Sequence, residues 1–235
     1  MASSVHYSSL SCWRMRPLRI GLFVEPKVGL PVHPEVRAAS EAAANALAAA
    51  GAIVEPLPTF LDAALLGGIY RFFEIRLYHE LMGLPPERRG AVLPFVAEWC
   101  SARAAGFSGR DVMDAYGRVM ALRETTVRAC QPFDYVIGPT SPILPYEAIS
   151  AAPGDDPHDA FPHIGLTVPY SMSEQPAASV NWTAAANGLP IGVQVIGRRF
   201  DDMGVLRLAR ALETMRPPQR SWPDKITGTA AAAAA

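Results

Sequence analysis

Lysine is almost missing from these 235 residues: among 21 basic side chains only Lys27 and Lys225 are lysines, and the rest are arginines. A reaction that needs an ammonium-forming base therefore has two candidates for it. Cysteine is scarce as well. Cys12, Cys100 and Cys130 are odd in number, lie far apart and form no CxxC pair, so they give neither a disulfide framework nor a zinc site, which suits a reducing compartment. No apolar run reaches ~18 residues without a breaker, so no membrane span is expected. The opening MASSVHYSSLSCWRMRP lacks an apolar stretch of signal-peptide length. A net charge of -1 and a pI near 6.5 leave no basic stripe for nucleic acid. The expectation is a cytoplasmic protein with neither a nucleic-acid nor a membrane partner.

The usual marks of hydrolytic chemistry are also absent. There is no GxSxG elbow, and the histidines His6, His33, His79, His158 and His163 form no HExxH. A serine–histidine pair made by spatial neighbours stays open. His79 lies on a helix face and reads as a solvated or satisfied helix residue. Asp155, Asp156, His158, Asp159 and His163 are the one metal-like set, but their spacing fits no standard site and their segment has a solvated-loop composition. Gly67-Gly68 lack the strand–turn–helix setting of a phosphate cradle. Asp201 and Asp202 open a helix, where aspartate caps free N–H groups. No metal and no cofactor is expected.

What is present is an alternation of strands and helices. Residues 1–17 are Ser-rich and aperiodic, and read as a disordered leader. Residues 18–24 (LRIGLFV) make a buried strand. Pro34 and Glu35 start a helix over 35–50, with Val36, Ala39, Ala43 and Leu47 on one face and Gly51 as its stop. Residues 52–58 return as a strand, completing a βαβ-like unit of an α/β domain. Helices follow over 61–82 and 93–103, then over 109–129 behind a Ser108 cap, with Val112, Ala115, Tyr116, Val119 and Leu122 inward. Residues 135–137 form a strand that stops at Gly138-Pro139, and 150–162 read as an exposed loop. Strands at 177–180 and 191–197 are joined by an Asn187-Gly188 turn. In the second of them Val193 and Val195 alternate against Ile191 and Ile196. A last helix over 201–215 turns Leu206, Ala209 and Leu212 inward, and a frayed tail runs from 217 to 235. One domain over 18–216 is expected.

The segment SEQPAASVNWTAAANGLPIGVQVIGRRFDD resembles the C-terminal hallmark of the amidase signature family: Gln175-Pro176-Ala177, then Gly188-Leu189-Pro190-Ile191-Gly192-Val193-Gln194, then Asp201 opening the last helix. Upstream, FDYVIGPTSPILP is similar to the family's Asp-apolar-apolar-x-Pro-Thr strand, and LRIGLFV, Pro34 to Val36 and Gly51-Ala52-x-Val54 follow in matching order. Ser171, Glu174 and Asn181 stand where members often have Asn, Gly and Pro. The resemblance implies a partial amidase-signature fold, a mixed sheet covered by helices, in a C-terminal part of an enzyme that hydrolyses a carboxylic amide.

That chemistry uses a serine nucleophile, a second serine in a cis peptide and a lysine, carried by a Gly-Gly-Ser-Ser-Gly-Gly signature and a preceding strand. Neither is here: Ser3-Ser4 and Ser8-Ser9 lack the glycines, Lys27 follows the first strand, and Lys225 lies in the tail. No catalytic residue is therefore assigned. Thr140, Ser141 and Pro142 follow a strand whose carboxyl end faces the cleft of an α/β sheet, and are the candidates for substrate binding, unless they only cap the turn. The implied partners are a small-molecule amide and either a second copy or a complementing half. The rival reading is a non-catalytic interaction protein, subunit-like, that completes a separately encoded N-terminal half.

Overall fold

The computed structural model describes residues 17–220. Expectations on residues 1–16 and 221–235, Lys225 and most of the leader and tail among them, lie outside the described residues. The βαβ unit forms as expected. β1 (Arg19–Leu22) buries Ile20 completely and leads to α1 (Pro34–Ala49). Pro34 occupies a first-turn position where a missing N–H costs nothing, and the His33 ring accepts the Glu35 N–H at 3.3 Å. Val36, Ala39, Ala43, Ala44 and Leu47 make the buried stripe. Gly51, at φ 101°, turns the chain out of the helix in a conformation that side chains rarely adopt. β2 (Ile53–Pro56) then pairs in parallel with β1, Ile20 opposite Val54.

Four helices follow before the sheet resumes, the first three being α2 (Ala63–Gly83), the short α3 (Pro86–Arg89) and α4 (Pro94–Ser101). Asp62 caps α2 by accepting the Leu65 N–H at 2.7 Å. α5 (Gly109–Cys130) starts in a reciprocal capping box between Ser108 and Asp111. β3 (Tyr135–Pro139) is buried along its whole length. After a long loop come α6 (Val168–Met172), β4 (Ala177–Ala184), β5 (Pro190–Ile196) and α7 (Asp202–Met215). The sheet order is β2-β1-β3-β5-β4, with β1 parallel to β2 and β3, and β5 antiparallel to both β3 and β4.

Helices cover both faces of this mixed sheet. α1 and α7 enclose one core with Ile20, Ile137, Val193 and Val195; α2, α5 and α6 enclose the other with Phe23, Val136 and Ile196. A third cluster, Leu81, Trp99 and Cys100 with Ala152 and Ala160, ties α2 and α4 to the long loop.

Several details differ from the sequence reading. Ile191 shares the face of Val193 and Val195, as period-two geometry demands, while Ile196 faces the opposite core with Gln194. In α7 Ala209 and Leu212 face inward as expected, but the rest of the stripe is Val205 and Leu208, with Leu206 only half-buried. In α5 the buried positions are Ala115, Val119, Leu122, Thr126 and Cys130, whereas Val112 and Tyr116 are exposed. The 150–162 loop is not wholly solvated: Ala152 and Ala160 are buried, and Phe161 packs edge-on against Trp99 at 4.5 Å. Pro217 to Arg220 follow β4, with Gln219 Nε2 donating to the Trp182 carbonyl at 3.0 Å.

Glu174 offers a clean test of local energetics. It takes φ 59° in the turn before β4, and its carboxylate pairs with Arg123 and Arg199. A left-handed backbone costs a side-chain-bearing residue about 1–2 kcal/mol, and two exposed ion pairs return about 0–1 kcal/mol each. Glu174→Gly is expected to shift unfolding stability by less than about 1 kcal/mol, whereas Glu174→Val, which keeps the strain and loses both pairs, is expected to cost about 2 kcal/mol. Urea melts of the two variants side by side check this.

Candidate functional site

The carboxyl end of β3 meets β5 and β4 at a cavity of about 730 Å³. There the Thr140 N–H donates to the Gly192 carbonyl at 3.1 Å, and the Thr140 and Ser179 hydroxyls lie 2.6 Å apart in a hydrogen bond that either can donate. Gly192 makes this possible. A Cβ there would sit 2.8 Å from Ser179 Oγ and 2.9 Å from Thr140 Oγ1, so a side chain would part the two hydroxyls. Ile143, Leu144 and Ile191 supply an apolar wall, and Tyr146 and His163 face one another across it edge-to-face at 6.0 Å.

Of the residues singled out beforehand, Thr140 and Ser141 line this cavity. Ser141 also turns the chain, its Oγ accepting the Ile143 N–H at 3.3 Å. Pro142 does not line it. It is buried behind, and its carbonyl accepts the His33 N–H at 2.7 Å, bracing the start of α1. Ser179, Asn181, Gly192 and His163 were not singled out as pocket residues. The outward alternation of Ser179 and Asn181 along β4, and a glycine within an otherwise bulky strand, were the signals that could have found the first three.

His163 is the unusual group. Its Nδ1 is buried and has no hydrogen-bond partner among the described residues, and burial lowers its pKa below the ordinary value. The unfolded chain then binds a proton in a pH range where the folded chain does not, so stability falls as pH drops through and below about 6.5. His163→Gln is expected to flatten that part of the stability–pH curve; thermal melts between roughly pH 5 and 8 measure it. A variant curve that overlays the wild type would remove His163 as its source.

Among the described residues, none of Thr140, Ser141 and Ser179 is hydrogen-bonded to an imidazole, an ammonium or a carboxylate. Lys27 is exposed, with no hydrogen bond to a serine there. The buried thiols are poor nucleophiles near neutrality: burial pushes Cys130 up to about 11 and raises Cys100. Asp156 spends an oxygen on the His158 N–H at 2.8 Å, and among the described residues no three His, Cys, Asp or Glu side chains converge as metal ligands. The hydroxyl pair can therefore bind and orient a polar group, and no described side chain within reach activates it.

The protein-family profile described as Amidase matches residues 2–206. The chain belongs to the amidase family.

Two curated relatives of this amidase-family chain are each named as a subunit of glutamyl-tRNA(Gln) amidotransferase. The protein of Lysinibacillus sphaericus (strain C3-41) is 34% identical over 120 residues, which is 49% of this chain and 24% of that one. The protein of Myxococcus xanthus (strain DK1622) is 36% identical over 92 residues, 39% of this chain and 18% of that one. Among solved structures, 6-aminohexanoate cyclic dimer hydrolase in complex with its substrate superposes with a TM-score of 0.73 and 26% identity, over 93% of this chain and 49% of that one. The chain thus spans about half of this solved amidase fold, and a smaller part of each curated relative is aligned. As expected from the resemblance, the fold is that of the amidase-signature enzymes. The motif glutamine of the family resemblance, Gln194, is buried and donates to the carbonyls of Pro139 at 2.9 Å and Leu166 at 2.7 Å. Gln175 similarly donates to the Gly197 carbonyl at 2.9 Å. These contacts are scaffold: Gln194 fixes the end of β3 and the loop that carries His163, and Gln175 ties the turn before β4 to the residue after β5. Among the described residues no helix is long and apolar enough to cross a membrane.

Proposed function

We propose that this chain supplies the sheet and one pocket wall of a carboxylic amide hydrolase, and that the Ser, cis-Ser and Lys of the reaction come from outside these 235 residues. The observation that carries the reading is the cavity at the carboxyl end of β3, where the Thr140 and Ser179 hydroxyls meet over Gly192 opposite an apolar wall. A neutral amide fits that combination: its apolar substituent lies against Ile143, Leu144 and Ile191, and its carbonyl or N–H meets the hydroxyl pair. Thr140 and Ser141 are then substrate-binding, and Pro142 positions them through α1. The free thiols of Cys100 and Cys130 accord with a cytoplasmic setting.

The test is reconstitution. The chain alone is expected to release ammonia from simple aliphatic or aryl amides no faster than buffer, and to gain activity when co-expressed with an amidase-signature segment bearing the Gly-Gly-Ser-Ser-Gly-Gly motif. Turnover by the purified chain alone, well above the buffer control, would overturn the proposal.

A second reading, a non-catalytic subunit-like protein, is favoured by β4. It is one of the two edge strands of the sheet, with exposed Ala177, Ser179 and Asn181 alternating along it; Arg216 and Gln219 donate to its Asn181 and Trp182 carbonyls, and the edge before them can pair with another strand. A stable complex with the complementing segment that lacks all amidase activity separates this reading from the first.

A further inference from the structure

α2 carries Ala64, Gly67, Gly68, Arg71 and Glu74 on one face, spaced three and four residues apart as helical geometry requires. α5 sets Asp114, Ala115 and Arg118 against them, and Arg103 closes the end. Together they enclose a cavity of about 690 Å³, apart from the one at the sheet. The small residues leave the room: a Cβ at Gly67 would meet nothing within 4 Å, while at Gly68 the Arg118 side chain lies so close that a Cβ would be 2.4 Å from its own Cβ.

The chemistry of this cavity is unlike that of a solvated helix pair. Glu74 is a carboxylate with only 3% exposure. One of its oxygens pairs with Arg103, but Oε2 is buried and has no hydrogen-bond partner among the described residues. An unmatched buried acceptor of this kind is destabilising, more so when charged, and asks for a donor. Arg71 and Arg118 make no ion pair among the described residues; Arg71 instead lies over the Phe107 ring at 5.5 Å. Asp114 is loosely engaged with Arg110 at 3.8 Å. The lining thus offers two guanidiniums that no carboxylate pairs at close range, although Asp111 acts on Arg71 from a distance and Asp114 lines the same cavity, and one buried carboxylate oxygen without a donor among the described residues.

We infer that this cavity is a binding site for a small amino-carboxylate. The ligand's carboxylate is held by Arg71 and Arg118, and its ammonium donates to Glu74 Oε2. Guanidinium forks suit carboxylates because they offer paired parallel N–H donors. A simple carboxylate would leave Glu74 Oε2 unmatched, and a simple amine would leave both arginines unmatched, so the two charges of the ligand are recognised jointly.

Titration of the full chain by calorimetry with β-alanine, 4-aminobutyrate, acetate and methylamine tests the site. The amino acids are expected to bind saturably, with acetate and methylamine weaker by roughly tenfold or more. Arg118→Gln and Arg71→Gln are each expected to weaken amino-acid binding by roughly tenfold. Glu74→Gln keeps the shape and is expected to erase the preference for the amino acids over acetate. Because replacement of a buried acid can impair folding, Gly67→Leu serves as the independent variant: it fills open space on an exposed helical position, so it should melt no lower than the wild type and bind nothing. Absence of saturable amino-acid binding at millimolar concentration, or retention of binding in a folded Gly67→Leu protein, overturns the inference.

Discussion

Gly138→Ala is expected to lose about 3 kcal/mol or more of folding free energy, against roughly 5–15 kcal/mol for a native domain. Gly138 lies in β3 and pairs with Gln194 of β5. On its other side the chain just beyond β1 runs close by, and the Phe23 N–H donates to the Ile137 carbonyl at 2.9 Å. A Cβ at Gly138 would lie 2.3 Å from the Phe23 carbonyl oxygen, a backbone atom that no rotamer change can remove. Relief requires β1 and β3 to part in the middle of the sheet, with loss of the bonds between them. Gly138 is not among the glycines with positive φ, so the cost is steric and not torsional.

Gly21→Ala is the matched control. Its Cβ would first meet the Phe133 ring, at 3.0 Å, and a side chain at that distance can give by a few tenths of an ångström. The expected loss there is about 1 kcal/mol. At roughly 2–4 °C per kcal/mol for a chain of this size, the Gly138 variant should melt about 6–12 °C lower than the wild type and the control only a few degrees lower. Equal melts for the two variants would mean that β1 and β3 do not approach as described.

The contrast between these glycines marks what the sequence could and could not convey. Local chemistry was readable: Pro34 and Gly51 bracket α1, Ser108 opens α5, and Asn187-Gly188 sits between β4 and β5, because caps and turns depend on residues a few positions apart. Burial that depends on distant neighbours was not. Ala152 and Ala160 lie in a stretch with the composition of a solvated loop and are buried because Trp99 and Phe161 come to rest beside them. α6 is five residues long with Pro169 in its first turn, too short for any periodic signal. Val112 and Tyr116 follow helical spacing yet stay exposed, Tyr116 at 47%, because they lie at the margin of the α2 contact, where Phe72 meets only the Tyr116 ring at 6.4 Å. The cavity divides the same way. Thr140 and Ser141 are found by reading along one strand to its end. Ser179 and Gly192 join them only through the antiparallel register, and His163 only through a loop whose path the Gln194 side chain dictates.

That dependence makes Gln194 the other position where a single change should be severe. The side chain is 4% exposed and spans two elements, donating from one nitrogen to the Pro139 carbonyl at the end of β3 and to the Leu166 carbonyl of the loop. Gln194→Leu keeps the volume, removes both donations and leaves two buried oxygens short of a donor, a loss of about 2–4 kcal/mol. Gln194→Glu is expected to be worse near pH 7, since an ionised carboxylate would face two carbonyl oxygens across less than 3 Å. The folded chain answers by raising the pKa of the introduced carboxyl, because only its protonated form can donate. With the folded value above the unfolded one, near 4.3, the folded state binds the extra proton, so stability is lost as pH rises from about 4 towards neutrality. The gap between Gln194→Glu and wild type should therefore shrink on acidification, while the gap for Gln194→Leu stays constant. Urea titrations at about pH 5 and 7.5 distinguish the two. A Gln194→Glu protein whose stability tracks the wild type at both pH values would show that the amide nitrogen does not hold these carbonyls. The loop that brings His163 to the cavity would then need another anchor.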